Sequence, residues 1–86
     1  MEQKEFLEYL QNVEKQKKVK IQLDVAEVNL DFLDNLLETP DKETETAMLK
    51  VRDIINGRRI ALEKDYLTLG LAINDFETKL YNEERN

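Results

Sequence analysis

The segment QLDVAEVNLDFLDNLLE, residues 22–38, mixes acidic and apolar side chains at the spacing of an α-helix. Residues three and four apart lie on the same face of a helix, so acids at such intervals form one stripe. The segment is otherwise mostly apolar, which indicates that much of the remaining helix surface is covered. The acids that form the stripe, and that could face a basic partner, are Asp24, Glu27, Asp31, Asp34 and Glu38.

Two apolar stripes run along the same helix when the pattern is extended back to residue 19. At 100° per residue their centres lie roughly 140° apart. Gln22 and Asn29 occupy the arc between them, either as boundary residues or as paired amides that fix the register of a bundle. The first stripe comprises Val19, Leu23, Ala26, Leu30, Leu33 and Leu37. The second comprises Ile21, Val25, Val28, Phe32 and Leu36.

A single hairpin cannot bury both stripes, because each of its helices needs an apolar arc of only about 100°. An apolar stripe left bare is typical of an interface. We therefore expect two hairpins to associate as a homodimer and to form a four-helix bundle. The residues expected to form this self-association or partner-binding face are Ile21, Leu23, Val25, Val28, Leu30, Phe32 and Leu36.

The second half of the chain carries the most regular apolar series. Steps of four and three residues are typical of a coiled coil, so this series predicts the seam of a hairpin. Phe6 and Tyr9 are expected to meet Phe76 at the open end of that hairpin. The predicted seam residues are Leu62, Tyr66, Leu69, Ile73, Phe76 and Leu80, and a shorter run comprises Met48, Val51 and Ile55.

The sequence NGRR, residues 56–59, separates these two apolar runs. Asn56-Gly57 is able to cap a helix, which would break the second arm into two helices. Alternatively, one continuous or kinked helix passes through a polar layer that contains Arg58 and Arg59. We favour one helix, because no convincing N-cap follows Gly57.

The segment ETPDKE, residues 38–43, is the strongest punctuation in the chain. Thr39 is suited to cap a helix, and Pro40 suits the first helical position. The pattern predicts a single all-α domain over residues 1–86, an antiparallel helical hairpin. Its expected parts are a helix over about 3–37, a turn over about 38–40, a helix over about 40–82 and a short polar tail over 83–86. A turn at this point places residue i beside roughly residue 80 − i.

A small β element is the competing interpretation of two segments. VKIQLDV, residues 19–25, alternates between apolar and polar side chains, which is the period of a strand. Asn56-Gly57 is also a dipeptide that favours tight β-hairpins. The helical interpretation is preferred because both flanks are strongly helical and no second alternating run exists to pair with the first.

The composition narrows the possible functions. The chain has no Cys and no His, so thiolate metal sites and the commonest general base are missing. No nucleophile motif or phosphate loop is present either, and we expect neither an enzyme nor a bound cofactor or metal. The net charge of −6 disfavours direct binding to nucleic acid or to anionic lipid.

The sequence predicts no membrane segment, because no apolar run approaches the roughly 20 residues of a membrane span. Residues 1–16 lack the apolar core of a signal peptide, and a cytoplasmic location is therefore expected.

The pattern favours a non-enzymatic interaction module, a small acidic dimeric hairpin that acts as an adaptor or regulator of a partner protein. Two other functions fit the same sequence. The acidic stripe predicts an inhibitor that imitates DNA towards a nucleic-acid-binding protein, because acids three and four apart on a helix approach the spacing of phosphates. A bare apolar face also fits a chaperone or structural component of a virion or secretion assembly.

Overall fold

A computed structural model describes residues 2–36 and 41–85. Helix α1 spans Gln3–Leu36, and helix α2 spans Lys42–Arg85. The two helices pack side by side in opposite directions, as an antiparallel hairpin that measures 66 × 20 × 14 Å. The all-α hairpin is therefore confirmed. Residues 19–25 and the Asn56-Gly57 pair are helical, so the competing β interpretation is wrong.

Helix α2 begins at an aspartate that caps it. The Asp41 side chain accepts a hydrogen bond from the Glu43 backbone N–H at 3.2 Å and another from the Thr44 hydroxyl at 3.0 Å. An aspartate in this position satisfies donors that the first helical turn leaves unpaired. The predicted cap Thr39, the predicted first helical residue Pro40 and the turn over 38–40 lie outside the described residues. At its other end α2 runs on to Arg85, beyond the predicted end at about 82.

The residues that face the opposite helix follow a heptad pattern on both arms. Steps of three and four residues keep one stripe of each helix against its partner, as in a two-stranded coiled coil. On α1 the buried and half-buried series is Tyr9, Asn12, Gln16, Val19, Leu23, Ala26, Leu30 and Leu33. On α2 it is Met48, Arg52, Ile55, Arg59, Leu62, Tyr66, Leu69, Ile73, Phe76 and Leu80.

The heptad series corrects one residue of the predicted seam. Val51 was expected in the short run that precedes NGRR, but it is 46% exposed. Arg52 occupies the seam position instead and is half-buried. The next seam residue after Met48 therefore lies four positions further along the chain. The α2 seam keeps its heptad phase from Met48 to Leu80.

Helix α2 is continuous through Asn56-Gly57, so the prediction of one helix is confirmed and the two-helix alternative is wrong. Gly57 has an ordinary helical backbone without positive φ. Arg59 donates from Nε and Nη2 to the Asn56 Oδ1 at 3.2 and 3.0 Å, and from Nη1 to Glu63 Oε1 at 3.0 Å. These bonds pair Arg59 with its neighbours on a single helix, whereas Arg58 is exposed and does not occupy the seam with Arg59 as expected.

The register of the hairpin differs slightly from the prediction. Gln16 Nε2 donates to the Tyr66 carbonyl, and Arg52 Nε lies 2.7 Å from Asp34 Oδ1. Residue i of α1 therefore lies beside a residue between 82 − i and 86 − i of α2, not beside 80 − i. The shift is consistent with the start of α2 at Lys42, two residues later than expected.

The hairpin has a thin core for its size. Among the described residues, the side chains of Leu23, Ala26 and Ile73 are buried. The radius of gyration is 19.2 Å, against roughly 12 Å for a compact domain of this length. The accessible surface is 7055 Å², against roughly 5,300 Å² for a globular monomer of 10.2 kDa. The chain thus exposes roughly 1,700 Å² more than a compact monomer would.

Candidate protein-interaction surface

The second apolar stripe of α1 points away from α2. We call Ile21, Val25, Val28 and Phe32 the outer stripe. These four side chains are 64%, 54%, 65% and 61% exposed, whereas Leu23 and Ala26 on the other side of the same helix are buried. Large apolar side chains grouped at heptad spacing on a surface mark an interaction site rather than scattered exposure. The structure therefore leaves a bare apolar stripe on α1, outside its contact with α2.

Three residues of the predicted association face lie elsewhere or are partly covered. Leu23 is buried and Leu30 is half-buried, because both belong to the stripe that packs against α2. Leu36 is half-buried at the end of α1. The part of the predicted face that is open to another molecule is therefore the outer stripe.

A groove between the helices adjoins the outer stripe. It has a volume of about 450 Å³. Arg58 lies at its α2 side and forms no ion pair with the described residues. Gln22 and Asn29 add two exposed amides to its α1 side. We call this the Arg58 groove, and its lining residues are Ile21, Gln22, Val25, Ala26, Asn29, Ile55, Arg58 and Leu62.

The predicted hairpin seam of α2 is engaged within the chain. Ile73 is buried, and the other five residues are half-buried against α1. They are Leu62, Tyr66, Leu69, Phe76 and Leu80. Their role is therefore to hold the hairpin together, and most of their apolar surface is unavailable to a partner.

The acidic stripe lies on the surface, but part of its charge is neutralised. Lys20 Nζ lies 3.1 Å from Asp24 Oδ1, and Arg52 Nε lies 2.7 Å from Asp34 Oδ1. Glu27 and Asp31 are exposed and form no ion pair with the described residues. Glu38 lies outside the described residues. The two ion pairs reduce the negative charge that a nucleic-acid mimic would present.

These ion pairs also raise the pKa values of the two cations. A hydrogen bond and the charge of Asp24 raise the pKa of the Lys20 amine above its ordinary value of 10.5. A hydrogen bond and the charge of Asp34 likewise raise the pKa of the Arg52 guanidinium. The side chains of Lys20 and Arg52 keep 56% and 39% of their surface accessible to solvent, so the pairs adjust local charge more than they add to stability.

A second apolar patch was not predicted from the sequence. Leu67 and Leu71 are 66% and 72% exposed on α2. They line a groove of about 510 Å³ together with Gln16, Tyr66, Gly70, Ile73 and Asn74. The spacing of four residues between the two leucines was a usable signal. It was missed because both leucines fall beside the strong seam series and look like its margin.

Residues 2–36 and 41–85 contain neither a metal-binding cluster nor a membrane-spanning stretch. No three acidic side chains there come together in a group that could hold a metal ion. Neither helix contains, in its described part, a stretch long and apolar enough to cross a membrane. Comparison of the chain with family models, curated proteins and solved structures found no match.

Proposed function

We propose that this protein is a non-enzymatic interaction module that self-associates through the outer stripe and acts as an adaptor or regulator of a partner protein. The observation that carries the proposal is the exposure of Ile21, Val25, Val28 and Phe32 at heptad spacing. A second copy that covers this stripe would convert two hairpins into a four-helix bundle. Helices that pack against neighbours on two faces are common in that architecture.

The exposed area supports self-association. A standard protein interface covers about 800 Å² on each partner. The surplus of roughly 1,700 Å² over a compact monomer is about twice that amount. Each hairpin therefore has enough uncovered surface for a dimer interface and for a further contact with another protein.

The thin core gives the same proposal a thermodynamic reason. Small domains without disulfides or metals often obtain stability from oligomerisation. Association that involves the folded hairpin and not the unfolded chain stabilises the fold by mass action. The midpoint of thermal unfolding should therefore rise with protein concentration.

A matched pair of variants tests the role of the outer stripe. Val28→Glu places a charge in the stripe, whereas Ile60→Glu places the same charge on an exposed β-branched residue of α2. We expect the first variant to be monomeric and the second to remain dimeric, as measured by light scattering after size exclusion. If Val28→Glu dimerises as well as the unmodified chain, the outer stripe is not the interface.

A further inference from the structure

We infer that the second copy lies with its first helix along the outer stripe and the Arg58 groove, with both hairpins pointing the same way. In this arrangement Arg58 of each chain meets the partner subunit's Asp24. The inference rests on the proposed dimer and adds its orientation and its polar contact.

The groove carries a cation on its α2 side. Arg58 lies among apolar groove residues such as Ile55 and Leu62, and it forms no ion pair with the described residues. A helix laid over the groove would remove this cation from water. An unpaired charge in such a place is costly, so a suitable occupant brings an acid to it.

The acids of α1 lie on the side of the outer stripe that faces away from the groove. On a helical wheel Asp24 and Asp31 flank one side of the outer stripe, and Gln22 and Asn29 flank the other side, towards the groove. Asp24 is exposed and shares its charge with Lys20 across a surface ion pair. Lys20 lies beside Oδ1, so Oδ2 is able to accept from the partner subunit's Arg58 while the surface pair with Lys20 stays in place.

The direction of the two-fold axis determines which flanks of the two α1 helices meet. A two-fold axis parallel to the helices brings the acidic flank of one α1 beside the groove flank of the other. A two-fold axis perpendicular to the helices brings groove flank against groove flank, so Arg58 faces the partner's Arg58. That second arrangement also sets Asp24 towards the partner's Asp31. Charge complementarity therefore selects the first arrangement.

Arg58 and the partner subunit's Asp24 also lie at the same level along the bundle. The hairpin register places Arg58 beside a residue between 24 and 28 of its own α1. A parallel two-fold axis keeps levels unchanged, so the partner's Asp24 lies at the level of Arg58. The long guanidinium side chain is well suited to pair with a carboxylate at such an interface.

Single cysteines test the orientation, since the chain has no Cys of its own. Lys18→Cys and Asn35→Cys extend the outer stripe by three residues at either end, equally far from its centre. A disulfide needs Cα atoms within about 7 Å. If the hairpins point the same way, each variant alone forms a disulfide-linked dimer on mild oxidation. If neither variant links alone and only their mixture does, the hairpins point in opposite directions and the inference is wrong.

Charge reversal tests the contact. Arg58→Glu and Asp24→Arg are each expected to weaken the dimer by about tenfold, and the double variant to recover most of that loss. Lys64→Glu is the control for Arg58→Glu, because it reverses an exposed cation of the same helix outside the groove. Asp75→Arg is the control for Asp24→Arg, because Asp75 pairs with Lys79 as Asp24 pairs with Lys20. Dissociation constants from sedimentation would check this, and a double variant as weak as the single ones would overturn the contact.

The two proposals fail in different ways. A chain that stays monomeric at all concentrations removes the proposed dimer and the inference together. A chain that dimerises removes only the inference if it shows the opposite cross-linking pattern, or if the charge-reversed double variant does not recover the dimer affinity.

Discussion

The ring of Tyr9 stacks on the ring of Phe76, with their centroids 4.5 Å apart and their planes 17° from parallel. Phe6 joins the pair with its ring centroid 6.4 Å from that of Phe76. The contact joins the N-terminal part of α1 to the C-terminal part of α2, at the end of the hairpin opposite the connection between the helices. It therefore closes the end at which the two helices have no covalent link.

Removal of this aromatic contact should open the end of the hairpin. We expect Phe76→Ala to lower the free energy of unfolding by about 2–3 kcal/mol, because it removes seam packing and the stacked pair. Urea unfolding followed by circular dichroism checks the value. Leu71→Ala, an exposed residue of the same helix, is the control and should cost less than about 0.5 kcal/mol. Equal losses in both variants would contradict the role of the aromatic cluster.

The two glycines of α2 offer a matched comparison. A Cβ added at Gly57 meets nothing within 4 Å, whereas one added at Gly70 lies 3.1 Å from Gln16 Nε2. Gly57→Ala should raise the free energy of unfolding by about 0.5–1 kcal/mol, because alanine favours a helix interior. Gly70→Ala should gain less, since Gln16 must move and its bond to the Tyr66 carbonyl weakens.

Thermal and urea unfolding of the two alanine variants check this order. A loss of stability in Gly57→Ala would contradict a continuous α2, because it would mean that the glycine is needed for a break or a turn.

The seam position of Arg59 predicts a stabilising substitution. Its guanidinium bonds to Asn56 and Glu63, both on its own helix, so among the described residues it makes no hydrogen bond or ion pair across the seam that a leucine would lose. Arg59→Leu should raise the free energy of unfolding by roughly 1 kcal/mol, because a polar group in a coiled-coil seam costs stability. A clear loss measured by urea unfolding would show that the polar layer itself supports the helix.

The Lys20–Asp24 pair predicts a pH effect of known sign. The raised pKa of Lys20 means that its contribution to stability is fully present below the ordinary value of 10.5 and is lost as the pH rises through the raised value. Asp24→Asn removes the main cause of the shift. We expect an NMR titration of the Lys20 side chain to show a lower pKa in that variant, and an unchanged pKa would contradict the ion pair.

The division of α1 into two apolar stripes was predictable from the sequence. Leu23 is buried and Ile21 is exposed as the helical wheel requires, because the period of 3.6 residues assigns each side chain to a face. The same period predicted which residues of α2 form the seam. Regular spacing over many turns leaves few other ways to assign the side chains of such a simple hairpin to helix faces.

Other features depended on information that spacing does not contain. Val51 and Arg52 compete for one seam position, and hydrophobicity favoured the valine. The ion pair with Asp34 and the phase of the whole heptad series favour the arginine. Capping by Asp41 likewise depends on where the chain enters the helix, a choice among several neighbouring polar residues.

Dimerisation of the hairpin through the outer stripe underlies both proposals. Sedimentation equilibrium over a range of about 1–100 μM measures the mass in solution most directly. We expect a mass of twice the 10.2 kDa chain, with dissociation towards the monomer at the lowest concentrations. A constant mass of 10.2 kDa across the whole range would contradict it, and would leave the outer stripe as a docking surface for a different protein.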